Sequence, residues 1–332
     1  MTRHPRSSVV RTAAVVLLTA VGIVAIVGSG GGVGFPGGDP CANNGCNPGL
    51  IYFANVTPAR SSVQAGTAVV LSATSLGLTS PTYQWRRSVD GVNFTDIAGQ
   101  TSASYSFSAR LADDGTTYGV RIAGLGGLQA TAAAYLAVSS SPAVVFSDSE
   151  FADSDWAATS SATSTAASVV SQGQAASGGN PGAWRHTVLS MPSGTSTISV
   201  FNVSRLSVFD PALRGALRAI DFTLDCTVQL STPSTFGTTV LLVQNGRKFA
   251  PRSSSSCHTA GWAPLPGAAL GSTDFVQVDG PVCGLNEICP DFTASGPQIN
   301  VGYLVTTTAQ GSAAVTTYDR GIDNWKVSLW PR

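Results

Sequence analysis

The sequence predicts an all-β protein built as two successive sandwiches, and three observations carry that expectation. Only 11% of the 332 residues are charged and there are just two Met, while Ser, Thr, Ala and Gly abound. Chains poor in Lys, Glu and Met lack the best helix formers, and β-branched and aromatic residues favour strands. Apolar and polar residues alternate over short runs, as in Ala68-Val69-Val70-Leu71-Ser72-Ala73, where a period of two puts Val69 and Leu71 on one face. Turn signals recur between such runs, among them Asp90-Gly91, Gly246, Pro251, Pro266-Gly267 and Ser295-Gly296-Pro297. A chain of this length has room for about two domains.

The elements follow in order. Arg3, His4, Arg6 and Arg11 precede an uncharged apolar run of sixteen residues, Thr12 to Val27. A bilayer takes about 20 apolar residues to span, so residues 1–29 are expected to be an export signal cut near Gly28-Ser29, or else an uncleaved N-terminal anchor. Ser29 stands where a lipoprotein signal would place its cysteine, so lipidation is not predicted. Residues 30–52, rich in Gly, Pro and Asn, read as a flexible tether. The first folded domain, 53–138, has strands predicted at Ala68–Ala73, Thr82–Arg87, Ser104–Phe107, Tyr118–Ile122 and Ala132–Val138. After the joint Ser139-Ser140-Ser141-Pro142 comes a second domain, 143–332, read as a larger jelly-roll sandwich. Its predicted strands are Ser196–Val203, Ala219–Leu224, Thr238–Gln244, Phe275–Val278, Ile299–Thr307, Ala313–Tyr318 and Trp325–Leu329, with one short helix over Asp210–Ala219.

Charge and cysteine narrow the function classes. The formal net charge is zero, which removes the clustered Lys and Arg that nucleic-acid binding needs. The six Cys of an exported chain meet an oxidising compartment and are expected to pair. Several connectivities are open; proximity favours Cys41–Cys46, Cys226–Cys257 and Cys283–Cys289. No Cys-x-x-Cys occurs and His258 is the only imidazole near a cysteine, so metal ligation by these thiols is not predicted.

The segment Pro81-Thr82-Tyr83-Gln84-Trp85, followed by Asp113-Asp114-Gly115-Thr116-Thr117-Tyr118-Gly119-Val120, resembles the bacterial immunoglobulin-like domains of cell-surface and secreted proteins. The resemblance implies that Trp85 is the core tryptophan, Tyr118 the tyrosine-corner residue and Asp114 the acid four positions before it. Leu71 and Val120 would stand where that family often has its inter-sheet cysteine pair. Further on, Phe146–Phe151 with Trp156, Ser177–Arg185 and Asp319–Val327 resemble exported bacterial sandwiches of the laminin-G-like, concanavalin-like or galactose-binding-like groups. That likeness implies that the first and last strands lie side by side. The expected fold class is therefore all-β, an immunoglobulin-like sandwich followed by a larger jelly-roll β-sandwich.

Candidate sites are few. Asp148, Glu150, Asp153 and Asp155 form an acidic start that the fold would bring near Asp319 or Asp323. Oxygen donors at irregular spacing suit Ca²⁺, so Asp148, Glu150, Asp319 and Asp323 are candidate ligands of a structural calcium ion, against the alternative of solvated turn-capping acids. Catalysis is not expected. A glycosidase needs two carboxylates about 5–10 Å apart, and no Glu-x-Glu-x-x-Glu pattern occurs; Gly-x-Ser-x-Gly is absent, and His186 and His258 have no evident nucleophile. Binding has more support. Trp184 and Arg185 follow Gly178-Gly179-Asn180-Pro181-Gly182, and Trp262 lies in a Gly-containing segment, so Trp184, Arg185, Asn180 and Trp262 are candidate carbohydrate-binding residues. The expectation is an exported cell-envelope or secreted adhesion or binding protein whose partner is carbohydrate or another cell-surface protein. It would touch the membrane only through an uncleaved N-terminus. The alternatives are a purely structural surface or matrix component and, third, a glycan-active enzyme.

Overall fold

The computed structural model describes residues 52–229, 234–252, 255–257, 260–278, 289–312 and 314–332. The export segment, nearly all of the tether, Cys41, Cys46, Cys283 and His258 lie outside the described residues. The chain is all-β, as its composition predicts. It divides into two compact units, one of residues up to Ala59 with Ala68–Phe107 and Thr116–Tyr135, the other of Arg60–Thr67, Ser108–Gly115 and Leu136–Arg332.

Eight strands come first: β1 (Phe53–Thr57), β2 (Arg60–Gln64), β3 (Ala68–Leu76), β4 (Thr82–Ser88), β5 (Thr95–Asp96), β6 (Ser104–Ser108), β7 (Thr117–Ala123) and β8 (Gln129–Ser139). They form one sheet in the order β1-β3-β6 and another in the order β2-β8-β7-β4-β5. Alternation decides the buried face: in β3, Val69, Leu71 and Ala73 are buried and their neighbours are not. Trp85 and Val120 are register partners in β4 and β7, and both are buried with Tyr118. The Trp85 indole donates to Ser102 O at 2.9 Å, so the one polar atom of a fully buried ring is satisfied. Leu71 and Val120 are both buried. At the tip after β4, Asp90 accepts from the backbone N–H groups of Asn93 (2.7 Å) and Val92 (2.9 Å) and from the Ser88 hydroxyl. These bonds, the Asn93 N–H foremost, hold its carboxyl well below the usual range.

The remaining elements are β9 (Val144–Asp148), β10 (Trp156–Ala162), β11 (Ser168–Gly179), β12 (Gly182–Met191), β13 (Gly194–Phe209), the single turn α1 (Pro211–Arg214), β14 (Leu217–Gln229), β15 (Ser234–Gln244), β16 (Arg247–Pro251), β17 (Ser255–Ser256), β18 (Ala263–Leu270), β19 (Phe275–Gln277), β20 (Ile299–Ser312) and β21 (Thr316–Pro331). A six-stranded sheet runs β11-β12-β21-β14-β18 with β9 on β21; a seven-stranded sheet runs β10-β13-β20-β15-β16-β19 with β17 on β15. Their facing sides share a core that includes Leu189, Ile220, Leu224, Val240, Val301 and Val327. The opening strand pairs with the closing one, from Val144 against Leu329 to Asp148 against Trp325. The predicted helix over Asp210–Ala219 shrinks to α1: Asp210 caps it by accepting from Ala212 N at 2.9 Å, Gly215 ends it at φ +85°, and β14 claims Leu217 onward.

Of the predicted disulfides, Cys226–Cys257 is formed, with the two Cα atoms 6.1 Å apart. It ties the six-stranded sheet at β14 to the chain just past β17 on the other sheet. Closing a loop of 31 residues contributes about 3–4 kcal/mol by restricting the unfolded chain.

Candidate functional site

Strand β12 alternates without a break, burying Ala183, Arg185, Thr187, Leu189 and Met191 and turning Trp184, His186, Val188 and Ser190 to the outer face. Across that face, His186 is the register partner of Gly321 in β21, and Gly321 is the partner of Thr227 in β14. A Cβ on Gly321 would meet the Thr227 methyl at 2.6 Å and the Trp184 ring at 2.8 Å. The indole therefore lies across the strand at the one position without a side chain, and any other residue there would lift it.

Trp184 is the middle member of an aromatic row. Its ring centre is 5.6 Å from that of Trp262, inclined at 81°, and 5.6 Å from His186 at 61°. Both tryptophans are half-buried. Their ring nitrogens are committed to the end of β11 that leads into the β11–β12 loop: Trp184 donates to Ser177 O at 3.0 Å and Trp262 to Gly178 O at 3.3 Å.

Two carboxylates pin the loop that follows. Asp323 accepts from Asn180 N, and from Asn324 N at 2.6 Å. Asp225, its register partner, accepts from the side-chain amides of Asn180 (3.1 Å) and Asn324 (2.7 Å). Burial, with Asp225 adding to it, pushes the Asp323 carboxyl up against the bonds that favour its charge. A Cβ on Gly179 would sit 2.6 Å from an Asp323 oxygen and 2.8 Å from Ala183 O, so the loop closes this tightly only with glycine there.

Asp319 completes the face, one alternation along β21 from Gly321. Its Oδ1 is buried and has no hydrogen-bond partner among the described residues. Burial pushes its carboxyl up, and His186 draws it back. The charged form is thus the costly one, a penalty absent below the ordinary aspartate range and growing as pH rises through the raised value. Asp319→Asn is expected to raise neutral-pH stability by up to about 1 kcal/mol, since half of the side chain is solvated. Paired thermal melts from pH 3 upward check this: the advantage should vanish below about pH 4; an advantage that grew toward acid would contradict it.

The other sequence candidates fall elsewhere. Arg185 does not join the aromatic face; as the next residue in a strand it points to the opposite side. There it is buried, 2.8 Å from Asp153 and 3.4 Å from Asn202 Oδ1, and 6.0 Å from the Trp156 ring. Asn180 is exposed at the loop tip. Asp148 is used up locally, accepting from Glu150 N, Phe151 N and the Trp156 indole, the turn-capping role. Asp148, Glu150, Asp319 and Asp323 do not converge, for among the described residues no group of three or more His, Cys, Asp or Glu could hold a metal ion. Sequence reasoning left His186 out of the candidate binding residues and placed no weight on Gly321; the alternation of β12 was the signal that groups His186 with Trp184.

Comparison with known proteins yields one family model and weak structural likenesses. A domain of unknown function, DUF8696, matches residues 54–140. No curated protein matches the chain. Among solved structures, Dscam1 isoform 8.4, N-terminal four Ig domains, is 23% identical over 26% of this chain and 20% of its own, with a TM-score of 0.22. An exo-beta-agarase is 12% identical over 58% of this chain and 26% of its own, TM-score 0.28. The infectious bursal disease virus Gx strain structure is 10% identical over 79% of this chain and 54% of its own, TM-score 0.28. The chain thus spans about half or less of each of these longer structures. The all-β sandwich architecture is that of the sheets described above.

Proposed function

We propose that this is an exported, non-catalytic binding protein whose second unit recognises carbohydrate on the outer face of its six-stranded sheet. The observation that carries the reading is the pair Trp184 and Trp262, edge to face and half-buried, with both ring nitrogens tied to the end of β11. Sugar rings carry an apolar face that stacks on indole, with hydroxyls at the rim that need polar partners. Asn180 and Asn324 are exposed near the loop, and His186 and Asp319 lie at the other end of the row, where the Asp319 carboxylate supplies an acceptor. The immunoglobulin-like part serves as a spacer. Export is supported by the Cys226–Cys257 disulfide, which oxidising compartments preserve. Among the described residues no helix is long and apolar enough to cross a membrane.

Retention of the full chain on cellulose, chitin and agarose, with calcium and again with EDTA, tests this reading. Retention on at least one matrix is expected, with Trp184→Ala and Trp262→Ala each weakening it about two- to tenfold, the worth of one aromatic stack. Passage through all three would favour the purely structural surface component.

A further inference from the structure

The seven-stranded sheet carries a second feature on its own outer face. A groove of about 200 Å³ lies over β15, β17 and β20, lined by Thr235, Thr239, Ser256, Leu304, Thr306 and Thr308 among others. Among the described residues no charged side chain lines it. Its volume is below the roughly 300–1,000 Å³ of a drug-sized site, which suits a single small ring. The hydroxyls come in register: Thr308 opposes Thr235 on β15 and Thr197 on β13, and Thr306 opposes Ser199. Thr197 and Thr308 share a hydrogen bond of 2.9 Å, Ser199 and Thr306 one of 3.2 Å. Each such hydroxyl keeps a lone pair free for a further partner.

Two observations separate this groove from an ordinary polar strand face. Thr239 is only 2% exposed, and its hydroxyl has no partner among the described residues. A buried hydroxyl left unpaired is costly, and this one lines the groove. Beneath the floor, the fully buried Arg320 holds the two strands together from the inside. It donates to Thr306 O (3.1 Å), Thr307 Oγ1 (2.8 Å) and Thr238 Oγ1 (2.8 Å). A floor fixed in this way does not have to order itself when a ligand arrives.

We infer that this groove is a second binding site, taking a neutral, hydroxyl-rich ring of the sugar type, with Thr239 giving its buried hydrogen bond and Leu304 the apolar contact. It lies on the other sheet from Trp184 and Trp262 and does not depend on them. If both sites fill, one chain carries two sugar sites on two different sheets.

The test is an NMR titration of the full-length mature protein with methyl glycosides of glucose, galactose, mannose and xylose, and with sodium sulfate as an anionic probe. The signals followed are the Leu304, Thr306 and Thr308 methyl and amide resonances for the groove, and the Trp184 and Trp262 indoles for the aromatic row. At least one glycoside is expected to shift the groove resonances saturably. Thr239→Val, which removes only the orphan hydroxyl, should weaken that response about tenfold while leaving the melting temperature equal or higher. Unchanged groove resonances with all four sugars would overturn the inference, even if the indole signals moved. So would a groove response that survives Thr239→Val, or one given by sulfate and not by sugar.

Discussion

Replacing Trp325 by alanine is expected to destabilise the second unit by about 3–5 kcal/mol, the cost of emptying a large aromatic site in a packed core. Trp325 is 1% exposed. It sits on β21, the strand that carries β14 along one side and β12 followed by β9 along the other, and its ring meets Trp156 edge-on with centres 5.2 Å apart. Trp156, on the facing sheet, in turn packs against Tyr303 of that same sheet, also at 5.2 Å. The three rings bridge the sandwich, and removing one leaves the other two facing a void. For a unit of this size the melting temperature should fall by about 6–20 °C. The Trp325 indole nitrogen has no hydrogen-bond partner among the described residues, so the loss is one of packing. Trp325→Phe keeps most of the apolar surface and should cost less than about 1.5 kcal/mol. Equal losses for the two substitutions would show that the nitrogen, and not the ring, matters.

Trp85→Ala should be as damaging to the first unit, again about 3–5 kcal/mol, and the consequence is greater because the unit is small and small domains hold only about 0.05–0.15 kcal/mol per residue. Trp85 is fully buried and touches Tyr105 with centres 5.8 Å apart. Its indole donates to Ser102 O, and its own backbone N–H and C=O pair with Gln100 O and Ile97 N. Alanine keeps the two backbone bonds and loses both the ring and the bond that satisfies Ser102. Hydrogen exchange reads the outcome by position: amides of β4 and β7, such as Val120 and Ile122, should lose most of their protection. Retained protection there would mean that other residues organise this sandwich.

The strands of the immunoglobulin-like part were legible because each carries its own alternation. Ala68–Ala73, Thr82–Arg87 and Ser104–Phe107 start where β3, β4 and β6 start. Strand β2, Arg60-Ser61-Ser62-Val63-Gln64, was not legible, since it has a single apolar residue. In the larger sandwich, β10 and β11 were missed for a related reason: Ser, Gly and Ala dominate them and most of their residues are not buried, so neither period nor burial marks them as strands. The two predicted strands Ala313–Tyr318 and Trp325–Leu329 are one strand, β21, whose polar middle from Asp319 to Asn324 reads as a turn but is held on both sides by β12 and β14.

Site residues divide along the same line. Trp184 and Trp262 stood out as aromatic residues near glycine-rich segments, and the fold brings them together across the sheet. Arg185 was grouped with Trp184 because they are neighbours in sequence, yet in a strand neighbours face opposite ways. The threonine groove was invisible because it needs β15 paired with β20, a register between segments more than sixty residues apart. Asp319 shows how stability and binding can pull against each other: the substitution expected to stabilise the fold removes the acceptor proposed for a ligand.

A glycan array probed with the full-length protein, beside its Trp184→Ala/Trp262→Ala double variant and paired melting curves, tests the central claim most directly. The account predicts selective binding by the unaltered protein and loss of it in the double variant at a melting temperature within a few degrees of the original, since both rings lie on an outer face. Binding that persists in the double variant, or an unaltered protein that recognises no glycan, would contradict it.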